Sequence, residues 1–368
     1  MVFHQTDIYT RDTGYSVSNM FRRRTITRLL ATAALAPVST AAQDRRPPSR
    51  IAFGSCADQA QPQPIWDAVH AWRPDLFIFM GDNVYGDFKG ADAAKLKSAY
   101  QAAGEIPGYT KLRETVPHLA VWDDHDYGKN DGGADFPYKA VAKDEFLKFW
   151  KVPATDIRRT RDGIYTSQII GPPGMRLQII LLDVRWFRSP LKPTDKRGAP
   201  GKQRYLPDPD PAKTMLGDIQ WRWLGEELRK PAELRLIVSS TQVLAEGHGW
   251  ERWGNFPLER QKMVDTIRAA GANGVVFLSG DRHIGALYRE PPQGLYPLLE
   301  VTSSGLNKVY ATAREPGPNR VGDLLAAENF GTLDIGWPER RLTLALRDVQ
   351  GDVRRALTVR FDELRGAG

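Results

Sequence analysis

Four polar clusters in this sequence each follow directly on a short apolar run. They read GSCAD at 54–58, GDNVYGD at 81–87, WDDHDYG at 122–128 and SGDRH at 279–283. Apolar runs this brief, bounded by polar residues and glycine, predict buried β-strands that end at loops. Ligands collect at the carboxyl ends of strands in an α/β sheet, so the four clusters are expected to converge. The pattern therefore predicts a layered α/β fold with a polar site at one sheet edge.

The rest of the chain alternates strand-like and helix-like segments. Strands are predicted at 50–53, 76–80, 118–121, 177–182, 235–239 and 274–278, and helices at 65–72, 91–103, 144–150, 217–229 and 258–270. This alternation favours an α/β core. Beyond residue 298 further strands are predicted at 298–302, 331–335, 341–348 and 354–361, with a hairpin turn at 350–352. Residues 190–214 are rich in Pro, Gly, Lys and Asp, which predicts a surface loop.

The N-terminal region has the composition of an export signal. Arg22, Arg23 and Arg24 precede a short apolar stretch that ends in the small residues 39–42. The paired arginines favour the twin-arginine export machinery as a partner, and hence a periplasmic or secreted protein. The apolar stretch is too short to span a bilayer, so no stable membrane anchor is expected. We predict a twin-arginine signal at residues 1–42, with a disordered basic tail as the alternative, and one domain at 43–368.

Charge and cysteine content exclude several classes of protein. The chain carries 51 Lys and Arg against 44 Asp and Glu, a formal charge of +7. Residues 1–42 contribute five arginines and two aspartates, so the remaining chain carries a formal charge of +4. Its basic residues are dispersed whereas its carboxylates are clustered, so no stable nucleic-acid complex is expected. The single cysteine, Cys56, excludes an intramolecular disulfide and any multi-cysteine zinc site.

The clustered carboxylates indicate bound metal. Three carboxylate-bearing loops would repel one another at neutral pH unless cations lay between them, so a site with two or more metal ions is the leading hypothesis. Carboxylate, imidazole, phenolate and thiolate donors together suit a redox-capable or highly charged first-row ion beside a harder divalent one. Cys56 is a candidate thiolate ligand, with a small buried apolar side chain as the alternative. Tyr85 is a candidate phenolate ligand, with a packed aromatic ring as the alternative.

The motifs GSC, GDNVYGD, WDDHD, LDVR, QWRWL and SGDRH, in this order, resemble the PhoD-like alkaline phosphatase family of the calcineurin-like metallophosphoesterases. Residues 81–85 also resemble the GDxxY signature of purple acid phosphatases. The resemblance runs from about residue 50 to about residue 350. For the domain at 43–368 it implies a four-layer α/β/β/α metallophosphatase fold, with two packed mixed β-sheets flanked by helices. It also implies export through the twin-arginine route.

The resemblance further implies a set of metal ligands: Cys56, Asp82, Tyr85, Asp124, Asp281 and His283. Within this set Asp82 would bridge two ions. Cys56, Tyr85 and His283 would complete the coordination shell of Fe³⁺. Asp124 and Asp281 would bind Ca²⁺, and other divalent ions are compatible with the same ligands. The calcineurin-like VxxH motif has no match here. His248 lies close in sequence to its nearest counterpart, and it is expected either to enter the site or to be merely exposed.

Four residues are candidates for contact with substrate. His125 matches the catalytic histidine of the family's usual GNH motif and would stabilise or protonate the leaving oxygen; the alternative is that it orients its aspartate neighbour. Arg185 is the candidate phosphate clamp, because a planar guanidinium matches phosphate oxygens. The alternative for Arg185 is a salt bridge to Asp183 or another carboxylate. Asn83 and Asn130 are further substrate-binding candidates, although Asn130 could instead bind another ion or steady its loop.

These residues indicate exported, metal-dependent hydrolysis of phosphate monoesters, diesters or both. A water held between two metal ions would lose its proton and attack phosphorus in line as a metal-bound hydroxide. The expected substrates are small phosphate esters, including diesters derived from phospholipid or nucleic acid. Two alternatives remain: a phospholipase-like phosphodiesterase, and an inactive, metal-binding family member that binds phosphate or nucleic acid.

Overall fold

The structure, a computed structural model, describes residues 46–366, so the export signal predicted at 1–42 lies outside the described residues. The strands, in chain order, are β1 (Arg50–Gly54), β2 (Leu76–Met80), β3 (His118–Val121), β4 (Thr166–Ile170), β5 (Leu177–Leu181), β6 (Lys192–Pro193), β7 (Tyr205–Leu206), β8 (Leu234–Ser239), β9 (Val275–Ser279), β10 (Gly285–Glu290), β11 (Leu298–Ser303), β12 (Phe330–Gly336), β13 (Arg341–Arg347) and β14 (Val353–Arg360). The α-helices are α1 (Ile65–Trp72), α2 (Ala94–Gly104), α3 (Pro107–Thr115), α4 (Asp124–Tyr127), α5 (Lys139–Phe149), α6 (Gly217–Leu228) and α7 (Pro257–Ala269).

The strands form two six-stranded mixed sheets and one small hairpin. The first sheet has the order β14-β13-β12-β1-β2-β3, the second has the order β10-β11-β9-β8-β5-β4, and β6 pairs with β7. Strands β1, β2 and β3 run parallel, as do β5, β8, β9 and β11, while antiparallel strands complete each sheet. Every residue of β2, β5 and β9 is buried, which explains why these strands are continuous apolar runs. The expected α/β class with two mixed sheets is confirmed.

Helices cover the first sheet through aromatic contacts. On α1, Trp66 lies with its ring centroid 5.8 Å from Phe77 of β2 and 5.3 Å from Tyr109 of α3. Phe79 of β2 joins the same cluster, 4.8 Å from the ring of Trp150 just after α5. Each of these rings is at most 9% exposed. Truncating a buried aromatic side chain of this kind to alanine typically costs about 3–5 kcal/mol, so this cluster is a major stabilising element of the first sheet.

The sequence located the central strands within one or two residues and missed elements with weak local signals. Strand β4 lies at a sheet edge and its residues are only partly buried, so its sequence TSQII lacks a long apolar run. Helix α3 starts with Pro-Gly, which is typical of a turn. Helix α5 begins at Lys139, ahead of the predicted 144–150. The predicted loop at 190–214 is largely irregular, except that it contains the hairpin β6–β7.

The two sheets meet at the ends of β1 and β11. Ser55, just after β1, forms a parallel bridge with Ser304, just after β11. The backbone N–H of Ser55 donates to Ser303 O at 3.1 Å, and Leu306 N donates to Ser55 O at 3.1 Å. This junction brings polar loops from both sheets to one edge. Within residues 46–366, none of the helices is long and apolar enough to cross a membrane.

Candidate active site

The four polar clusters converge at this edge, as the strand pattern predicts. They surround a cleft of about 320 Å³ whose lining includes Asp82, Asp124, His125, Asn130, Asp281 and His283. These six residues follow β2, β3 and β9, which belong to both sheets; Asp124 and His125 lie in α4 and the others lie in loops. Residues separated by up to about 200 positions in the sequence therefore share one cleft.

A first group of donor atoms surrounds Asp82. One ligand atom each from Cys56, Asp82 and His283 lies within 4.8 Å of the others. The Tyr85 hydroxyl donates to Asp82 Oδ2 at 3.2 Å and lies 3.1 Å from His283 Nε2. The Cys56 thiol donates to the same carboxylate oxygen at 3.4 Å. Thiol, phenol, imidazole and carboxylate thus surround a common point, as the family resemblance implies.

A second group of donor atoms surrounds Asp124. Its carboxylate belongs to three clusters, and within each cluster the ligand atoms lie within 4.8 Å of one another. The other members of the three clusters are Asp82 and His125, Asp123 and Asp281, and Asp131 and Glu251. Two buried oxygens in this group, Asp123 Oδ2 and Asp124 Oδ1, have no hydrogen-bond partner within the described part of the chain. Buried carboxylate oxygens are normally paired, so the unpaired oxygens fit a bound cation.

The titration behaviour of the donors also fits metal binding. Burial raises the pKa of Asp82 and of Asp281 well above the usual range, and neighbouring carboxylates add to the effect. Burial raises the pKa of the Cys56 thiol to about 11. Burial lowers the pKa of His283 to about 4, helped by Arg282, which keeps the imidazole neutral and able to ligate. Raised carboxyl pKa values favour the protonated forms, so a cation would compete with protons for these ligands.

Four of the donor residues have strained backbone conformations. Cys56, Asp82, Asp281 and His283 have φ values of 63°, 47°, 69° and 56°, in the left-handed region that non-glycine residues rarely occupy. Such conformations cost roughly 1–3 kcal/mol each and persist where the surrounding structure enforces them. Cys56, Asp82 and Asp281 each lie two residues after a strand end, and His283 lies between β9 and β10. The left-handed bends therefore turn side chains from separate loops toward the same point.

His125 is positioned by a carboxylate outside the metal clusters. Its Nδ1 lies 2.6 Å from Asp87 Oδ2, and its ring centroid lies 4.3 Å from that of Tyr85. Burial disfavours the imidazolium, but the charges of Asp124 and Asp82 and the hydrogen bond with Asp87 outweigh it and raise the pKa of His125 to about 11. The imidazole lines the cleft beside these carboxylates. This placement is compatible both with a proton donor and with a residue that orients Asp124.

The geometry of Arg185 corrects the expectation that it clamps phosphate. Its side chain is fully buried, with Nε donating to Asp123 Oδ1 at 2.6 Å and Nη1 donating to Glu251 Oε2 at 2.8 Å. Two carboxylates therefore occupy the guanidinium, and Arg185 is not among the described residues that line the cleft. The loop turns inward because Asp183 Oδ1 accepts the backbone N–H groups of Arg185 and Trp186. The ion-pair alternative fits, with Asp123 and Glu251 as partners.

The two asparagine candidates differ in position. Asn83 is 2% exposed, and its amide nitrogen donates to Val121 O at 2.9 Å and to the Asp126 carboxylate. It braces the loop after β2 against the loop after β3, so the expectation of a substrate contact does not fit its position. Asn130 is exposed and lines the cleft, while its backbone N–H donates to Asp87 Oδ1 at 2.7 Å. Only Asn130 therefore stays a candidate for substrate contact.

Cations that the sequence did not single out line the same cleft. They are Arg204, Arg282 and Lys308, paired with Asp131, Glu315 and Asp58 respectively. The guanidinium carbons of Arg204 and Arg282 lie 5.2 and 4.9 Å from the ring centroid of Trp250. Arg282 is part of the SGDRH motif and could have been found there. Arg204 belongs to the long loop before β7 and carries no local signal.

The position of His248 contradicts both expectations for it. The residue is 2% exposed, and its Nε2 lies 3.0 Å from Gln242 Oε1. Burial, reinforced by Arg282 and Arg252, holds the pKa of His248 well below its usual range. A neutral histidine hydrogen-bonded to a buried amide has a structural role.

Two packed mixed sheets that meet at a carboxylate-rich centre define the metallophosphatase class of fold. Residues 51–315 match the family model described as PhoD-like phosphatase. The chain belongs to the PhoD-like phosphatase family.

Comparisons with individual proteins agree with this assignment. The chain is 22% identical to alkaline phosphatase D of Bacillus subtilis (strain 168), over 60% of this chain and 40% of that protein, so it spans about two fifths of that relative's length. It matches the solved structure of PhoD with a TM-score of 0.67 and 14% identity, covering 88% of this chain and 72% of the other. A purple acid phosphatase from yellow lupin (Lupinus luteus) seeds matches with a TM-score of 0.60 and 12% identity, covering 88% and 56%. The structural likenesses show a shared fold.

Proposed function

We propose that this chain is a metal-dependent phosphoesterase that hydrolyses phosphate monoesters, diesters or both. The observation that carries the proposal is the shared position of Asp82. It lies in one cluster with Cys56 and His283 and in another with Asp124 and His125. One carboxylate common to two donor groups suits two cations held close together, which is the arrangement that in-line displacement at phosphorus uses.

The two donor groups suit different ions. Cys56, Tyr85 and His283, together with Asp82, would hold Fe³⁺, because thiolate and phenolate donors favour a highly charged first-row ion. Asp82, Asp124 and Asp281 would hold Ca²⁺, because an all-oxygen set favours a hard cation. Bound ions of this charge lower the pKa of coordinated water and neutralise phosphoryl oxygens.

The chain's own residues supply positioning and proton transfer. Asp87 holds Nδ1 of His125. The Nε2 atom of the same ring would donate a proton to the oxygen of the leaving group. Arg282, Arg204 and Lys308 line the cleft, each beside a carboxylate partner, and phosphoryl oxygens would lie against these cations. These cations replace Arg185 as the proposed phosphate contacts.

In this proposal Arg185 acts through neighbouring carboxylates and does not contact the substrate. By pairing with Asp123 and Glu251 it offsets two of the carboxylates that crowd the second donor group. The distance from Arg188 Nε to Glu251 Oε1 is 3.1 Å, which adds a second buried cation on the same side. Arg185 is therefore proposed as a positioning residue. The arginines at 22–24 support the further proposal that the protein is exported through the twin-arginine pathway to the periplasm or the medium.

The test is hydrolysis of p-nitrophenyl phosphate and bis-p-nitrophenyl phosphate by the metal-loaded chain. Activity on at least one substrate should disappear after chelation and return when metal is restored. Asp124→Asn should abolish the activity, whereas Asp144→Asn, at an exposed aspartate on α5, should retain it. A metal-loaded, folded protein without chelator-sensitive activity on either substrate would overturn the proposal in favour of an inactive, metal-binding family member.

A further inference from the structure

A second cleft, of about 460 Å³, adjoins the catalytic cleft. The two clefts share Asn130, Asp131 and Arg204 as lining residues. The remaining wall of the second cleft comes from the hairpin β6–β7 and its connecting loop, through residues that include Thr194, Arg197 and Tyr205. A group attached to a phosphate in the catalytic cleft would therefore reach the second cleft along these shared residues.

The second cleft carries one free positive charge. The Asp131 carboxylate is already occupied, because Arg204 Nη1 donates to its Oδ2 at 2.6 Å and the Tyr205 hydroxyl donates to the same oxygen at 2.7 Å. Arg197 is exposed, and its guanidinium makes no hydrogen bond or ion pair within residues 46–366. A planar guanidinium with unused donors matches the oxygens of a phosphate group. The hydroxyl of Thr194 and the amide of Asn130 add polar contacts on the same lining.

The wall that carries Arg197 is fixed against the catalytic cleft. The backbone N–H groups of Arg204 and Tyr205 both donate to Gly249 O at 2.8 Å. The contact is so close that a Cβ atom at Gly249 would lie 2.5 Å from Gln203 N. Gly249 directly precedes Trp250, which lines the catalytic cleft. The backbone beside the second cleft is thus anchored before substrate binds, which lowers the free energy needed to order this wall.

We propose that the second cleft binds a second phosphate group, one carried by the alcohol part of the substrate. This inference rests on the proposed phosphoesterase function and specifies its substrate class. The preferred substrates are esters whose leaving alcohol is itself phosphorylated, and Arg197 is the residue that recognises the remote phosphate. Polar and cationic lining, with Pro193 as the one apolar residue among those described, disfavours an acyl chain in this position.

The test compares α,ω-alkanediol bisphosphates of increasing chain length with the monophosphates of the same diols. Each bisphosphate offers two equivalent reacting groups, so kcat/KM per phosphate is the quantity to compare. At the chain length that spans the two clefts, the wild-type protein should favour the bisphosphate. Arg197→Gln should lower this bisphosphate-to-monophosphate ratio about twofold to fivefold, the size expected for one ion pair at an exposed site. Arg197→Lys should retain part of the preference.

The control is Arg222→Gln, which removes the same charge from an exposed position on α6 and should leave the ratio unchanged. Hydrolysis of the monophosphates without preference for any bisphosphate would overturn this inference and leave the proposed function standing. A preference that Arg197→Gln and Arg222→Gln reduce equally would also overturn it, because a general charge effect would then explain the selectivity. Failure to hydrolyse either series would overturn the proposed function together with the inference.

Discussion

Replacing Arg185 with glutamine tests whether this residue supports the site or contacts phosphate. The guanidinium is fully buried between two fully buried carboxylates, those of Asp123 and Glu251. Arg185→Gln removes the cation and leaves both carboxylates without their main partner. Burial already raises the pKa of Asp123 to about 6 and that of Glu251 to about 7, against the opposing charge of Arg185. Loss of that charge makes both ionised forms less stable.

The expected loss of stability follows from this burial. Removing one partner of a buried ion pair typically costs about 3–5 kcal/mol. The structure describes residues 46–366, and at about 2.1 cal/mol/K per residue a domain of that size has an unfolding entropy of roughly 0.7 kcal/mol/K. The Tm of Arg185→Gln should therefore fall by about 4–7 °C. Arg176→Gln is the matched control, because the Arg176–Glu233 pair is partly exposed and should contribute about 1 kcal/mol or less.

The assay combines thermal unfolding with phosphate inhibition. Circular dichroism of the metal-loaded proteins gives Tm, and competition by inorganic phosphate gives Ki at a temperature where both variants are folded. If Arg185 is a positioning residue, Tm should fall as calculated while Ki changes less than about tenfold, since no direct phosphate contact is lost. An unchanged Tm together with a Ki raised a hundredfold or more would refute the buried ion-pair interpretation and restore Arg185 as the phosphate clamp.

Three further predictions concern the metal ligands and the proton donor. Cys56→Ser should lower the metal content by about one ion per chain in elemental analysis; full retention of iron and activity would remove the thiol from the ligand set. His125→Asn should reduce kcat about a hundredfold or more for alkyl phosphates. The reduction should be much smaller for p-nitrophenyl phosphate, because its leaving group needs little protonation. An equal reduction of kcat for both kinds of substrate would favour a role of His125 in orienting Asp124. Metal binding at neutral pH should release protons, because burial raises the pKa of Asp82 and Asp281 in the metal-free protein and the cation must displace those protons. The affinity of the protein for metal should therefore rise with pH. Titration calorimetry in buffers of different ionisation enthalpy measures this release, and buffer-independent heats would contradict it.

The sequence predicted the position of the site because that signal is local. A buried strand needs a continuous apolar run, and a cluster such as GDNVYGD directly after one can only belong to a strand end. The strands at 76–80 and 118–121 were located to the residue for this reason. The candidate ligands Asp82, Asp124 and His283 follow from the same local pattern together with the family motifs, and the structure brings them into one cleft.

The roles of individual cations depended on contacts between distant segments. Arg185 and Arg204 are both arginines in loops, and local sequence favoured the first as the phosphate contact. The fold buries Arg185 against Asp123 and Glu251, 62 and 66 positions away, whereas the docking of the β6–β7 hairpin onto Gly249 places Arg204 in the cleft. The ends of the strands and the donors that follow them could be predicted locally, because a buried strand requires a continuous apolar run. Which cations are buried between carboxylates and which line the cleft is set by the fold, because the energy of a charge depends on its burial and on partners from elsewhere in the chain.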